Sequence, residues 1–280
     1  MAGPEPCETE TARTPAAQAL PASTLRDGEP VLLVDRRGRR HLKRLRSGHR
    51  LTIRSSILAC DRIIGLAEGS RVGGGAGGED FHVFRPGYAE LVPLFERPAE
   101  PVFAKDAGLI LTRGDIRPGQ LAVEIGVGCG ALSMALLRCL GPEGRLVTYE
   151  IREDFAEEAR RNVARYQGEA PNWSIVVRDA TRGLDEHDVD RVVIDVPDVV
   201  SVLGVAAEAL RDGGILVAFA PTVLQVRDIH AAVAAGRSLG FAETFEVLER
   251  RWHVDPASVR PDHRMVAHTG FITVMRRLAR

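Results

Sequence analysis

From about residue 100 to the C-terminus, short apolar runs alternate with longer stretches whose apolar residues recur every three or four positions. The runs at 121–125, 145–149, 174–178, 191–195, 214–220, 241–247 and 269–275 predict strands. The stretches at about 105–113, 130–140, 153–166, 199–211 and 222–238 predict helices. Such alternation is the mark of a parallel sheet covered on both faces. No helix separates the last two strands, so these should pair antiparallel at the sheet edge. Upstream the period shortens. Strands at 30–34 and 40–45 flank the turn Asp35-Arg36-Arg37-Gly38 and read as a hairpin. Further short strands at 50–53, 71–72 and 81–85, with a glycine-rich loop at 73–78, complete a small β-rich domain over 28–85. Residues 86–104 read as a linker with some helix that Pro93 interrupts. Residues 1–27, rich in Ala, Pro, Thr and Glu without periodicity, read as a flexible tail.

The most informative junction lies at the first core strand. Leu121-Ala122-Val123-Glu124-Ile125 runs into Gly126-Val127-Gly128-Cys129-Gly130, and a helix pattern follows at once. Alternate glycines let the backbone take positive φ and approach a ligand. The helix start behind them offers unpaired N–H groups. Glu150 closes the next strand twenty residues after Gly130, an offset that suits a carboxylate accepting from two ribose hydroxyls. Gly126-x-Gly128-x-x-Ala131 also satisfies the dinucleotide fingerprint, so the glycines alone do not choose the cofactor. Glu124 does, because a carboxylate there repels a pyrophosphate and tolerates the cationic end of S-adenosyl-L-methionine. The antiparallel ending of the sheet points the same way. The expected fold is therefore α/β: a class I methyltransferase, Rossmann-like, with a seven-stranded sheet whose last strand is antiparallel. The cofactor domain should span 105–280, behind the small β domain.

Two further strands end in carboxylates. Asp179 closes the third strand, where it is placed to accept from an adenine amino group or, more plainly, to cap a helix. Asp195 closes the fourth in Ile194-Asp195-Val196-Pro197-Asp198, facing the transferable methyl. There it can align and deprotonate a nucleophile. Asp198 reads as a cap. Glu124, Gly126, Gly128, Gly130, Glu150 and Asp179 are thus the candidate cofactor residues, and Asp195 the candidate catalytic one.

Bulk properties narrow the partners. The 280 residues carry a formal net charge of −1, so no overall field advertises nucleic acid. Charge is unevenly spread, however. Arg36, Arg37, Arg39, Arg40, Lys43, Arg44, Arg46 and Arg50 crowd into fifteen positions, either a phosphate-binding patch or a solvated hairpin face. Aromatic residues make up only 5%, which argues against single-strand binding by repeated base stacking. No apolar run reaches the ~20 residues of a membrane span, and no signal peptide is evident. Four cysteines without C-x-x-C spacing suggest neither zinc nor disulfides, and point to a reducing cytoplasm. No metal site is expected. Phe103 and Lys105, at a helix start, and Arg260 and His268, near the last strands, are candidate substrate contacts beside Arg39, Arg40, Lys43 and Arg44.

Taken together these segments resemble the tRNA (adenine-N1)-methyltransferase family that modifies position 58 of the T-loop. The resemblance runs from about Gly28 to the C-terminus. It rests on Gly38-Arg39-Arg40, Arg54-Ser55-Ser56-Ile57, Lys105-Asp106-Ala107-Gly108, the glycine loop, Tyr149-Glu150 and Asn172-Trp173. Its most specific part is Ala220-Pro221-Thr222-Val223-Leu224-Gln225, Arg250-Arg251-Trp252, Arg260-Pro261 and His268-Thr269-Gly270-Phe271. The resemblance implies a tRNA substrate, the same cofactor residues, Asp195 in the catalytic pocket, and a homo-oligomer, tetramer or dimer. The chain departs from the family pattern at Ala104, where proline is usual, and after Asp195, where no aromatic follows. Those departures leave two alternatives: a paralogue methylating a small molecule or peptide, and a non-catalytic RNA-binding subunit.

Overall fold

The computed structural model describes residues 24–73, 78–95 and 100–279. The predicted tail up to residue 23 and most of the glycine-rich loop at 73–78 lie outside the described residues. Two compact units meet in sequence at Arg85 and Pro86.

The first unit contains β1 (Pro30–Asp35), β2 (Arg40–Arg44), β3 (Arg50–Ile53), β4 (Ser56–Ala59), β5 (Arg71–Gly73) and β6 (Asp80–Phe84). Four of them form an antiparallel sheet in the order β2-β1-β6-β5, and β3 pairs with β4 as a separate hairpin. Alternation puts Val31, Leu33, Phe81 and Val83 into one core with Leu45, Ile53 and Leu58. Strand β4 was not expected. It buries Ser56 and Leu58 and exposes Ile57, so its polarity pattern reads backwards at the first two positions. Leu25 corrects the tail boundary. It is 1% exposed in this core, and its backbone exchanges hydrogen bonds with Leu66 and Gly65. Residues 24–27 are therefore part of the unit.

The second unit runs α1 (Tyr88–Leu91), α2 (Ala104–Arg113), β7 (Leu121–Ile125), α3 (Ala131–Leu140), β8 (Arg145–Glu150), α4 (Glu153–Gln167) and β9 (Trp173–Val177). It continues with β10 (Val189–Ile194), α5 (Leu203–Ala209), β11 (Leu210–Ala220), α6 (Val223–Ala235), β12 (Leu239–Glu246), β13 (Trp252–Asp255), β14 (Ser258–Pro261) and β15 (Phe271–Arg277). Seven strands form one sheet in the order β12-β15-β11-β10-β7-β8-β9. The chain thus switches direction at β7, whose two neighbours, β10 and β8, are both parallel to it. Strand β15 inserts between β11 and β12 and is antiparallel to both.

Side-chain alternation sorts the core into two layers. Ala122, Leu146, Val193 and Ile215 face α2 and α3, with Val163 of α4. Val123, Ile125, Val147, Val192 and Leu216 face the opposite layer with α5 and Ile229 of α6. The expected linker is corrected here as well. Leu91, Val92, Phe95 and Val102 are buried in the first of these layers, and Phe95 stacks on Tyr166 at 5.1 Å. The β13–β14 hairpin between the last two sheet strands was also not foreseen. Its signal was the alternation Trp252-His253-Val254-Asp255 before a proline turn, but its apolar side faces solvent. Among the described residues, no helix is long and apolar enough to cross a membrane.

Candidate active site

The carboxyl end of β7 carries three glycines that are glycine for three different reasons. At Gly126 (φ +93°) an added Cβ would sit 2.1 Å from the Asp195 carbonyl oxygen, so the strand end after β10 presses directly on the loop. At Gly130 (φ +83°) it would sit 3.1 Å from Ala159 of α4, which lets α3 start close against that helix. At Gly128 (φ +51°) nothing lies within 4 Å. Only this glycine faces open space, which is where a ligand can approach the backbone. Asn162, buried on α4, donates to the Cys129 carbonyl at 3.0 Å and fixes the loop from behind.

Glu124 is fully buried one residue before the strand ends. Period-two alternation turns it to the same face as Ala122, toward α3 and beside its register partner Thr148. The hydroxyls of Ser133 (2.6 Å) and Thr148 (2.8 Å) both donate to its Oε2. Trp173 Nε1 donates to Thr148 Oγ1 at 2.9 Å, which leaves the threonine proton to point at Glu124. Its Oε1 is buried without a hydrogen-bond partner among the described residues. Burial pushes the Glu124 pKa up to about 8 against the pull of the two hydroxyls, and the carboxylates of Asp195 and Glu150 add to the rise. Ser133, Thr148 and Trp173 were not singled out from sequence for this role. The polarity of Ser133 and Thr148 inside apolar runs was the available signal.

Glu150 ends β8. Its Oε2 accepts from the backbone N–H of Val127 at 3.1 Å and its Oε1 from that of Arg152 at 2.9 Å, so it is oriented by two backbone donors. Asp179 follows β9. Its Oδ1 accepts from both the backbone N–H (2.9 Å) and the hydroxyl (2.8 Å) of Thr181, an N-cap geometry that also holds its pKa below the usual value. Asp195 follows β10, its N–H tied to the Ile125 carbonyl at 2.8 Å. Burial raises its pKa to about 7, with a smaller push from Glu150. Asp198 caps the next turn through Ser201 at 3.3 Å. Neither Glu124 nor Asp195 forms an ion pair among the described residues. Such a donor set fits a cationic, hydroxyl-bearing ligand and disfavours a polyanionic one.

The expected substrate contacts divide differently. Lys105 is not free to reach a ligand. Its ammonium donates to Asp106 (2.8 Å), to the Val247 carbonyl (2.8 Å) and to the Thr269 hydroxyl, so all three of its protons are used. Thr269 in turn donates to Asp106 at 2.6 Å. Phe103 precedes α2 and lines a cavity of about 420 Å³ with Val92, Arg264, Met265 and Val266. Arg260 stands exposed on β14 opposite His253. His268 is also committed: Nδ1 meets Glu246 and Nε2 meets the Pro221 carbonyl, each at 2.8 Å.

The basic run on the first unit is likewise partly spent. Arg39 pairs with Asp35 through Nε, and its Nη2 donates to both carboxylate oxygens of Glu79 at 2.9 and 3.0 Å. Burial would raise the Asp35 pKa, but donors from Arg39, the Arg37 backbone and His41 hold it at about 2. Arg36 and Arg71 share Asp80. Arg44 donates to the Gly28 carbonyl at 2.5 Å, while Lys43 beside it is half-buried on β2. Arg37, Arg40, Arg46 and Arg50 are exposed. Among the described residues, no group of three or more His, Cys, Asp or Glu side chains could hold a metal ion.

A doubly wound sheet with its switch point at a glycine loop, an antiparallel last strand and strand-end acids defines an S-adenosylmethionine-dependent class I methyltransferase. Comparison with known proteins narrows this. Residues 95–268 match the family described as tRNA methyltransferase complex GCD14 subunit, and residues 24–72 match the TrmI-like N-terminal family. The chain belongs to this tRNA methyltransferase family. The tRNA (adenine(57)-N(1)/adenine(58)-N(1))-methyltransferase TrmI of Methanocaldococcus jannaschii is 30% identical, over 88% of this chain and 94% of that protein. The tRNA (adenine(58)-N(1))-methyltransferase TrmI of Thermus thermophilus is 31% identical, over 89% and 96%. Among solved structures, tRNA (m1A58) methyltransferase TrmI from Aquifex aeolicus superposes with a TM-score of 0.82 at 25% identity, over 92% of this chain and all of that one. A structure described as an S-adenosylmethionine-dependent O-methyltransferase from Thermotoga maritima gives 0.86 at 29%, over 92% and 96%.

Proposed function

We propose that this enzyme methylates N1 of an adenine in the T-loop of tRNA, with Asp195 as the residue that touches the reacting base. The observation that carries the reading is the placement of Asp195. It ends the strand beside the glycine loop, its backbone presses on Gly126, and its pKa of about 7 suits a group that must both hold and accept a proton near neutrality. Bound S-adenosylmethionine supplies an electrophilic methyl on a sulfonium that departs neutral. Glu150 would accept from the ribose hydroxyls, Asp179 from the adenine amine, and the buried Glu124 carboxylate would balance the cofactor's ammonium. The backbone beside Gly128 provides the close approach. Asp195 would accept from the exocyclic amine of the target adenine, which leaves the N1 lone pair free to act as nucleophile, and would then take up the proton that the methylated base sheds. The target base has to leave its stack to reach a strand-end pocket.

The exposed cations Arg37, Arg46 and Arg50 are the phosphate contacts in this reading. The β13–β14 hairpin supports self-association into a dimer or tetramer: Trp252, Val254 and Val259 share one face and are all more than half exposed. An apolar face of that kind is what a homo-oligomer interface covers.

The test is transfer of labelled methyl from S-adenosylmethionine to unmodified tRNA. Labelled 1-methyladenosine is expected with the native chain, and Asp195→Ala should lower the rate by about 10²–10⁴, the range for loss of a positioned proton acceptor. Binding of the cofactor with no labelled RNA would overturn the tRNA reading and direct the search to small molecules.

A further inference from the structure

Between β14 and β15, the segment His268-Thr269-Gly270 is held from three directions. Thr269 is bonded to Lys105 and Asp106 at the start of α2. A Cβ on Gly270 would meet the Phe219 ring at 2.3 Å, so this residue packs flat against β11. His268 spans the end of β12 through Glu246 and the segment just past β11 through the Pro221 carbonyl. Its ring rests against Phe271, with centroids 4.8 Å apart.

Both ring nitrogens face oxygen acceptors, a carboxylate and a carbonyl. A neutral imidazole has one N–H and satisfies only one of them, whereas an imidazolium satisfies both. The Pro221 carbonyl and then Glu246 shift the His268 pKa upward accordingly, while Lys105, the other charge that faces it, pulls it down.

What His268 holds leads to the proposed catalytic strand end. Pro221 precedes Thr222, the N-cap of α6, whose hydroxyl accepts from the Gln225 N–H at 3.3 Å in a capping box. Gln225 Nε2 then donates to the Pro197 carbonyl at 2.8 Å. Pro197 lies two residues beyond Asp195. A continuous path of bonds therefore runs from Glu246 through His268, Pro221 and Gln225 to the loop that carries Asp195.

We infer that His268 is a positioning residue: as an imidazolium it clamps the turn after β11, and through Gln225 it sets the loop that orients Asp195. The inference rests on the reading of Asp195 as the residue that touches the target base. It replaces the expected role of His268 as a direct substrate contact, since neither ring nitrogen has capacity left for a ligand.

The experiment is steady-state methyl transfer to tRNA as a function of pH for the native chain, His268→Gln, His268→Arg and Glu246→Gln, with cofactor binding measured separately. An orientation error of the order of an ångström costs up to about a hundredfold, so His268→Gln should lower kcat by roughly tenfold with KM for tRNA and cofactor affinity unchanged. The native kcat should rise with pH as Asp195 ionises and fall again as His268 loses its second proton. That falling limb should vanish in His268→Gln, be absent in His268→Arg with partial rescue of kcat, and move to lower pH in Glu246→Gln. A higher KM with unchanged kcat in His268→Gln would overturn the inference in favour of direct substrate contact. So would a falling limb that survives in the variant. Full activity of Asp195→Ala would instead sink the underlying reading, and the two failures are told apart by that control.

Discussion

The residues at 36–50 and the strand ends around Gly126 handle charge in opposite ways. The first region is dense in cations, yet much of that charge is answered inside its own unit: Arg39 by Asp35 and Glu79, Arg36 by Asp80, Arg44 by a carbonyl. The second is sparse in charge, yet among the described residues Glu124 and Asp195 have no opposite partner, and their pKa values are raised to about 8 and 7. Charge that a fold has neutralised does structural work, whereas charge that it leaves raised and unpaired waits for a ligand. The count of charged residues in a stretch of sequence therefore says little about which stretch binds.

The comparison breaks most completely if the frame holding the unpaired acids is disturbed. Gly126→Ala drives a methyl group into the Asp195 carbonyl at a left-handed position. Overpacking costs about 1–3 kcal/mol and left-handed backbone strain about as much again. The expected result is a large loss of thermal stability together with loss of activity. Gly128→Ala adds its methyl to open space and meets only the left-handed strain of its φ of +51°, about 1–2 kcal/mol, so the protein should fold with a modestly lowered melting temperature and lose cofactor affinity. Calorimetric melting and cofactor titration on both variants check this. Equal destabilisation of the two would mean that the loop has one structural purpose and no ligand face.

A second, smaller effect sharpens the acidic side. The Glu124 pKa is raised from an ordinary 4.5 to about 8, so between those values the folded chain holds a proton that the unfolded chain has lost. Stability of the ligand-free protein should therefore fall as pH rises from about 4.5 to about 8 and level off above it, with Asp195 adding the same sign up to about 7. A cationic cofactor favours the ionised acids, so its binding should release protons and tighten with pH through that window. Glu124→Gln keeps the shape and should remove about half of the slope below pH 7, where Asp195 still contributes, and nearly all of it between about 7 and 8. Melting temperature against pH, with and without cofactor, is the measurement. A slope unchanged in the variant would assign it to other groups.

How much of this was legible in the sequence depends on which physical signal carried it. Most strands of the main sheet could be read because they are near-continuous apolar runs, β12 instead through its alternation, and the strand-end acids could be read because they interrupt such runs. Strand β4 could not, since Ser56 is buried and Ile57 exposed. Leu25 could not, because one apolar residue in a polar stretch has no period. Lys105 and His268 looked like substrate contacts because residue type and position suggest reach. Their partners Val247, Thr269, Glu246 and Pro221 lie far along the chain from one or both, and only the fold brings these groups together. Local pattern reports burial well, while satisfaction of a polar group is a long-range property that no window of sequence contains.

The smallest effect tests the basic side. If Arg37, Arg46 and Arg50 meet phosphates, each removal should weaken tRNA binding a few-fold at moderate salt. Each should also reduce the slope of log affinity against log salt by about one for every phosphate no longer neutralised. Arg39 carries the same charge, but it is held by Asp35 and Glu79, so Arg39→Ala should leave the salt slope unaltered. Its cost should appear as lower stability of the first unit, because Asp35 and Glu79 lose their shared cation. Binding isotherms across a salt series, together with thermal melts, separate the two responses. If Arg39→Ala flattens the salt dependence as much as Arg46→Ala does, its ion pairs open when RNA binds. The contrast between neutralised and available charge would then be a property of the unbound protein alone.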